Sequence, residues 1–180
     1  MSANLLVDQI LSLGVIFLQV GIVLILISKL YPKKTQGLLI SLIKKFALKF
    51  SFIIALASMA GSLYYSEIRG FTPCNLCWYQ RIFMYPLVFI LAMAIYKKDN
   101  KIADYGILLS AIGALIAGYQ YLLQLGIAPK ITCSAAGLSV SCANKIISQF
   151  GYITFPMMSL TAFLAIAILL SVLKITSKKK

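Results

Sequence analysis

The chain has 180 residues, of which 61% are hydrophobic and only 12% charged, and its mean hydropathy is +0.95. A soluble domain is about 45–50% apolar and about 25% charged, so this chain cannot cover its surface with polar groups and reads as an all-α integral membrane protein. It contains no histidine, and its last carboxylate is Asp104, which excludes general catalysis by His, haem ligation by His, and metal sites of mixed His and carboxylate. The net charge of +13 would suit nucleic acid. The basic residues are scattered between long apolar runs, however, and build no phosphate-tracking face, so the expected partner is the lipid bilayer and no nucleic acid.

A bilayer core of about 30 Å takes about 20 apolar residues in helical form. Five stretches meet or nearly meet this requirement, at 5–28, 46–65, 76–96, 102–125 and 152–175. The longest remaining segment, 126–151, is too short to bury a core of its own, so no soluble domain is expected. The first stretch has no Lys or Arg before it and no small-residue cleavage site after it, and reads as a retained span rather than a signal peptide. Within 37–49, Leu38, Leu39, Leu42, Ile43 and Phe46 recur at helical spacing with Lys44, Lys45 and Lys49 offset. That pattern suits either a short interfacial helix or an extension of the second span. The chain thus divides into an additional N-terminal span with a basic connection (1–45), a core of four spans carrying all the cysteines (46–175) and a basic tail (176–180).

Short loops rich in Lys and Arg stay on the cytoplasmic side. Thirteen of the 17 basic residues lie in the first connection, the third connection and the tail, while Arg69, Arg81, Lys130 and Lys145 lie on the other side. The C-terminus is therefore expected in the cytoplasm. Both cysteine-bearing segments then face outward, into the compartment where disulfides persist.

The first cysteine pair lies in Gly70-Phe-Thr-Pro-Cys-Asn-Leu-Cys-Trp-Tyr-Gln-Arg81. Thr72 suits an N-cap and Pro73 the first helical position, so a helix is expected to begin there. Cys74 and Cys77 would then share one face near the positive end of the helix dipole, which favours thiolate and makes a reactive CxxC without a histidine. Arg81 continues that stripe toward Tyr85 and Val88. An arginine inside a span is costly. Beside a reactive pair it suits stabilisation of a thiolate or a hydrogen bond to a quinone-like carbonyl; beside Trp78 and Tyr79 it equally suits an interfacial anchor.

The second pair, Cys133 and Cys142, lies in a small, polar, glycine-containing stretch that reads as an exposed, mobile loop. After it, Ile146, Ile147 and Phe150 share one side of a segment suited to the membrane surface. One cysteine pair at a helix end and one on a loop of the same membrane face suit an electron relay, because thiol–disulfide exchange passes two electrons between dithiols. A four-thiolate zinc site is the rival, but its usual CxxC with CxxC spacing is not met by eight residues between Cys133 and Cys142. No metal is expected. Structural outer disulfides in a non-catalytic membrane protein remain the other reading.

The run Pro73-Cys-Asn-Leu-Cys-Trp-Tyr-Gln-Arg81, followed by the two-cysteine loop and by Gly151-Tyr-Ile-Thr-Phe-Pro-Met-Met158, resembles the DsbB and BdbC family of disulfide bond formation membrane proteins. The resemblance covers roughly 46–174. It implies a four-helix transmembrane bundle, with 5–28 as an extra helix, in a multi-pass protein of a bacterial-type cytoplasmic (inner) membrane. It implies a thiol:quinone oxidoreductase that uses ubiquinone or menaquinone and reoxidises a secreted or periplasmic thioredoxin-fold dithiol oxidase of the DsbA type. By the same resemblance, Cys133 and Cys142 receive electrons from that partner, Cys74 and Cys77 pass them on, and Arg81 lies beside the quinone head group. The vitamin K epoxide reductase family also couples thiols to a quinone, but there the loop cysteines precede the membrane CxxC. Two features depart from the family pattern: the extra span, and the absence of the histidine that some members carry near the quinone.

Overall fold

A computed structural model describes residues 2–28, 33–128, 142 and 149–177. Five helices, α1 (Ser2–Ser28), α2 (Lys33–Leu63), α3 (Asn75–Lys97), α4 (Ala103–Gln124) and α5 (Phe155–Ser177), account for the five spans, each long and apolar enough to cross a membrane. Among the described residues the only strand-like pairing is an isolated bridge between Gln149 and Ile153. Residues 37–49 form the first part of α2 and run unbroken into the second span, so they extend it and make no separate helix. Cys133, most of the surface segment expected after Cys142, and the three terminal lysines lie outside the described residues.

Helices α2 to α5 form a bundle in which each packs on the next and α5 closes back on α2. Its core is built from Met84, Leu87, Val88 and Leu91 of α3, Ala114 and Ala117 of α4, and Phe163, Ile166 and Leu170 of α5. Equally apolar residues such as Phe89 and Leu115 point outward, as expected where the surroundings are lipid. Hydrophobicity alone then gives helices little reason to associate, and close backbone approach takes over. The buried stripe Gly106, Ser110, Gly113 and Ala117 of α4 supplies that approach. A Cβ on Gly113 would lie 2.3 Å from the ring of Phe163, and one on Gly106 would lie 2.6 Å from Leu170. α1 lies outside this ring, mainly against α5 and only lightly against α2.

Local chemistry sets the helix ends. Lys98 adopts a left-handed conformation (φ 54°) and its N–H closes α3 on the carbonyls of Ala94 and Ile95. At the start of α5, Phe150 (φ 52°) and Gly151 (φ 80°) turn the chain back so that Gln149 pairs with Ile153. The fifth helix therefore begins at Phe155 rather than at 152, with Pro156 in its first turn, where a missing N–H costs nothing. α2 ends in a π-helical turn, Tyr64–Ile68, and Gly70 (φ 66°) redirects the chain toward the first cysteine pair.

Candidate redox site

Beyond Gly70 the chain is not helical, and α3 starts at Asn75 instead of at Pro73. Phe71 explains the delay. Its ring stacks on Tyr65 and meets Phe155 edge-on, with centroids 6.2 and 6.4 Å apart, and its N–H donates to the Tyr65 carbonyl. That docking carries the chain in extended form as far as Cys74, which is the N-cap (ψ 169°), with its carbonyl accepting from the Trp78 N–H. Thr72 is thus not the cap. Cys77 lies in the first turn of α3, and the two sulfurs are 3.1 Å apart.

Expectation and structure part at Cys74 in a second respect. The hydrogen bond with Cys77, and then burial, push the Cys74 thiol well above its ordinary pKa. The helix start therefore does not make Cys74 acidic, and this thiol is the one that keeps the proton. Cys142 adds a further hydrogen bond to Cys74. Although composition places Cys142 on an exposed loop, it is only 3% exposed and lines the same cavity as Cys74 and Cys77. Three of the four cysteines are brought together.

The sulfurs have a polar neighbour for which the sequence reading assigned no role. Gln120 of α4 directs its side-chain N–H groups at Cys74 (3.2 Å) and Cys77 (3.4 Å), while its carbonyl oxygen accepts from the amide of Gln80, 2.6 Å away. Both glutamines are buried. Gln80 fixes the orientation of Gln120, so that its N–H lies nearer the thiols while its C=O stays 3.9 Å from the Cys77 sulfur. Polar side chains inside spans are expensive and mark function by default, and that signal was available in the sequence for both residues.

Arg81, one turn below Cys77, turns into the bundle. Its Nε donates to the Ser62 hydroxyl (2.9 Å) and its Nη2 to the Ser62 carbonyl (3.0 Å), and its guanidinium lies 5.1 Å from the Trp78 ring. Ser62 thus uses two of the five donors of the fork. The side chain lines a cavity of about 500 Å³ that also reaches Cys74, Cys77, Tyr85 and Gln120. The hydroxyl of Tyr85, one further turn down, is buried with no hydrogen-bond partner among the described residues. Among those residues no three His, Cys, Asp or Glu side chains are placed to hold a metal ion.

The model of a protein family described as "Disulfide bond formation protein DsbB" matches residues 44–173. The chain belongs to the DsbB family. Its relatives include disulfide bond formation protein C of Bacillus subtilis, 44% identical over 129 residues, which are 69% of this chain and 89% of the relative. A probable disulfide formation protein C 1 of Bacillus cereus is 48% identical over 108 residues (60% and 77%). A probable disulfide formation protein of Oceanobacillus iheyensis is 40% identical over 142 residues (78% and 91%). No solved structure matches. As a DsbB-family member the chain is a multi-pass membrane protein of a disulfide-forming oxidoreductase family, and α1 lies wholly outside the region that the family model matches.

Proposed function

We propose that this chain transfers electrons from a secreted thioredoxin-fold dithiol oxidase to a membrane quinone, making disulfides on the outer side of a bacterial cytoplasmic membrane. The observation that carries this reading is the meeting of Cys74, Cys77 and Cys142 in one cavity with Arg81. The lysine bias toward the opposite face supports the orientation.

Electrons enter at the loop pair. A partner thiolate attacks Cys133, breaking its bond to Cys142, and the released Cys142 attacks Cys74, breaking the Cys74–Cys77 bond and freeing Cys77. The partner's second thiolate then resolves the mixed disulfide at Cys133, and Cys133 reclaims Cys142 from Cys74. The sum is one partner disulfide formed, the loop disulfide restored, and Cys74 and Cys77 left as a dithiol holding two electrons and two protons. The burial of Cys142 against Cys74 supports this order of exchange, because in-line attack needs the sulfurs adjacent.

The cavity fits a quinone ring. Its volume is in the range of small-molecule sites, its walls are largely apolar, and a few polar groups converge on it. Arg81 and the unpartnered Tyr85 hydroxyl would hold oxygen atoms, and Gln120 would steady the sulfur facing them. A quinone held there supplies the sink for two electrons and two protons, and the Cys74–Cys77 disulfide is thereby restored.

The test mixes purified protein with a quinone and a reduced thioredoxin-fold oxidase while quinone absorbance is followed. Stoichiometric, partner-dependent quinone reduction is expected. No reduction with either ubiquinone or menaquinone would sink the proposal.

A further inference from the structure

The N-terminal helix has no counterpart in the family pattern, yet it lines the cavity that holds Cys77 and Arg81. We infer that α1 is a wall of the electron-acceptor site, and that the seam between α1 and α2 is the door by which a membrane-dissolved quinone enters and through which its apolar tail leaves. The inference rests on the quinone reading above and extends it to a part of the chain that the family match does not cover.

Three observations carry it. First, Ile10 and Phe17 of α1 and Ile53 of α2 line the cavity although they are 66%, 80% and 57% exposed. Residues that face both the cavity and the outside mark its opening. All three lie within spans, so this opening meets hydrocarbon and admits a ligand from lipid rather than from water. Second, α1 rests mainly on α5 and only lightly on α2, which makes the α1–α2 seam the loosely packed one. Third, Gly14 lines the cavity, and a Cβ built on it meets nothing within 4 Å. The wall is thinnest in side chain where the space lies.

A helix as apolar as α1 has no hydrophobic reason to present one face rather than another, since lipid is as apolar as the bundle. Polar latches set its rotation. Near one end, the buried Asp8 accepts from the Tyr65 hydroxyl at 2.6 Å and from Arg69 at 2.8 and 3.0 Å. Eleven residues on, the Gln19 amide donates to Thr161 at 3.2 Å and its carbonyl accepts from Tyr152 at 3.0 Å. A carboxylate in a span is retained where it is paired, and this pair ties α1 to the turn that leads into Cys74. The latches hold the Gly14 face toward the cavity.

The test uses the full chain in phospholipid nanodiscs and reads binding directly. Trp78 is the single tryptophan and lies beside Arg81, so saturable quenching of its fluorescence by a para-benzoquinone with a decyl tail gives a Kd without turnover. Gly14→Leu puts side-chain volume into the open space that the ligand would occupy and is expected to weaken binding by about tenfold. Asp8→Asn, close to isosteric, releases the latch and is expected to weaken binding several-fold. Gly21→Leu is the control: Gly21 is on the same helix, its Cβ also meets nothing within 4 Å, and it does not line the cavity. Wild-type affinity in both Gly14→Leu and Asp8→Asn overturns the inference and leaves the quinone reading standing. Equal weakening in Gly21→Leu also overturns it, since the effect would then belong to helix insertion. If Gly14→Leu does not fold, unchanged binding by Asp8→Asn decides against the inference. Absence of saturable quenching in the wild type overturns the quinone reading, and the inference with it.

Discussion

Gln120 reaches from α4 to Cys74, with its amide nitrogen 3.2 Å from the sulfur. The same nitrogen is 3.4 Å from Cys77, so one neutral donor serves both members of the pair. In a chain without histidine, this donor takes the place of an ionisable group in steadying negative charge on sulfur.

Replacing it with an apolar side chain of similar reach should therefore be costly to chemistry. Hydrogen bonds to charged groups are worth about 1.5–3 kcal/mol, so Gln120→Leu should slow reoxidation of the Cys74–Cys77 dithiol by about 10- to 100-fold. Stopped-flow mixing of the reduced protein with quinone measures this step alone. Wild-type reoxidation in a correctly folded variant would reduce Gln120 to a packing element.

Arg81 divides acceptor from donor chemistry. Arg81→Ala should weaken quinone use while a single turnover of partner oxidation stays nearly intact, because the guanidinium bonds to Ser62 in the cavity wall. Arg81→Lys should recover little, since an ammonium cannot reproduce the fork that engages Ser62 twice. Equal loss of both half-reactions in Arg81→Ala would assign it to structure alone.

Cys142→Ser should trap a mixed disulfide with the oxidised partner, because the Cys133 thiolate attacks the partner's disulfide, freeing one partner thiol, and no Cys142 thiol remains to release the bond. Non-reducing electrophoresis followed by peptide mass mapping identifies the bond. Recovery of the adduct at Cys142 in a Cys133→Ser variant, and of none at Cys133, would reverse the order of the two loop cysteines.

The spans were legible because each is a long apolar run, and the cysteines and Arg81 because reactive and charged groups are conspicuous in such runs. What escaped was whatever depends on contact between runs. Gln120 and Gln80 are forty residues apart and acquire a role only when α3 meets α4. α3 starts two residues later than its capping residues predict because Phe71 docks on Tyr65 and Phe155, a pull that no local capping rule contains. Cys142 looked exposed because its neighbours are small and polar, whereas its burial comes from three-dimensional proximity to Cys74. The rotation of α1 was invisible for the opposite reason: its apolar surface is nearly uniform, and Asp8 and Gln19 settle it only through partners more than fifty residues away.

The high pKa of Cys74 has a pH signature. A raised thiol pKa keeps the group protonated at pH values where a free cysteine, with a pKa of about 8.5, has already ionised. In the reduced protein, the rate of iodoacetamide alkylation at Cys74 should still be climbing at about pH 9.5, where an unperturbed thiol is levelling off. Cys77→Ser removes the first cause of the shift, so the rise should move to lower pH. Mass spectrometry of the alkylated peptide follows the rate residue by residue. A plateau at Cys74 below about pH 8.5 would contradict the assignment of the retained proton.

Two glycines of α4 should respond to the same substitution with opposite sign. At Gly113 a methyl group would come within 2.3 Å of the ring of Phe163, and Phe163 is fully buried. Gly113→Ala should therefore destabilise the bundle by about 1–3 kcal/mol, the cost of overfilling a packed core. At Gly118 the nearest atom is Leu160 Cδ1 at 3.9 Å, an ordinary contact. Gly118→Ala removes a flexible residue from a helix interior without a clash, and should be neutral or stabilising by up to about 1 kcal/mol. Thermal unfolding in detergent, followed by circular dichroism, compares the two directly. The α4–α5 packing described here requires the Gly113 variant to melt below wild type and the Gly118 variant not to do so; the reverse order would mean that α4 presents a different stripe to α5.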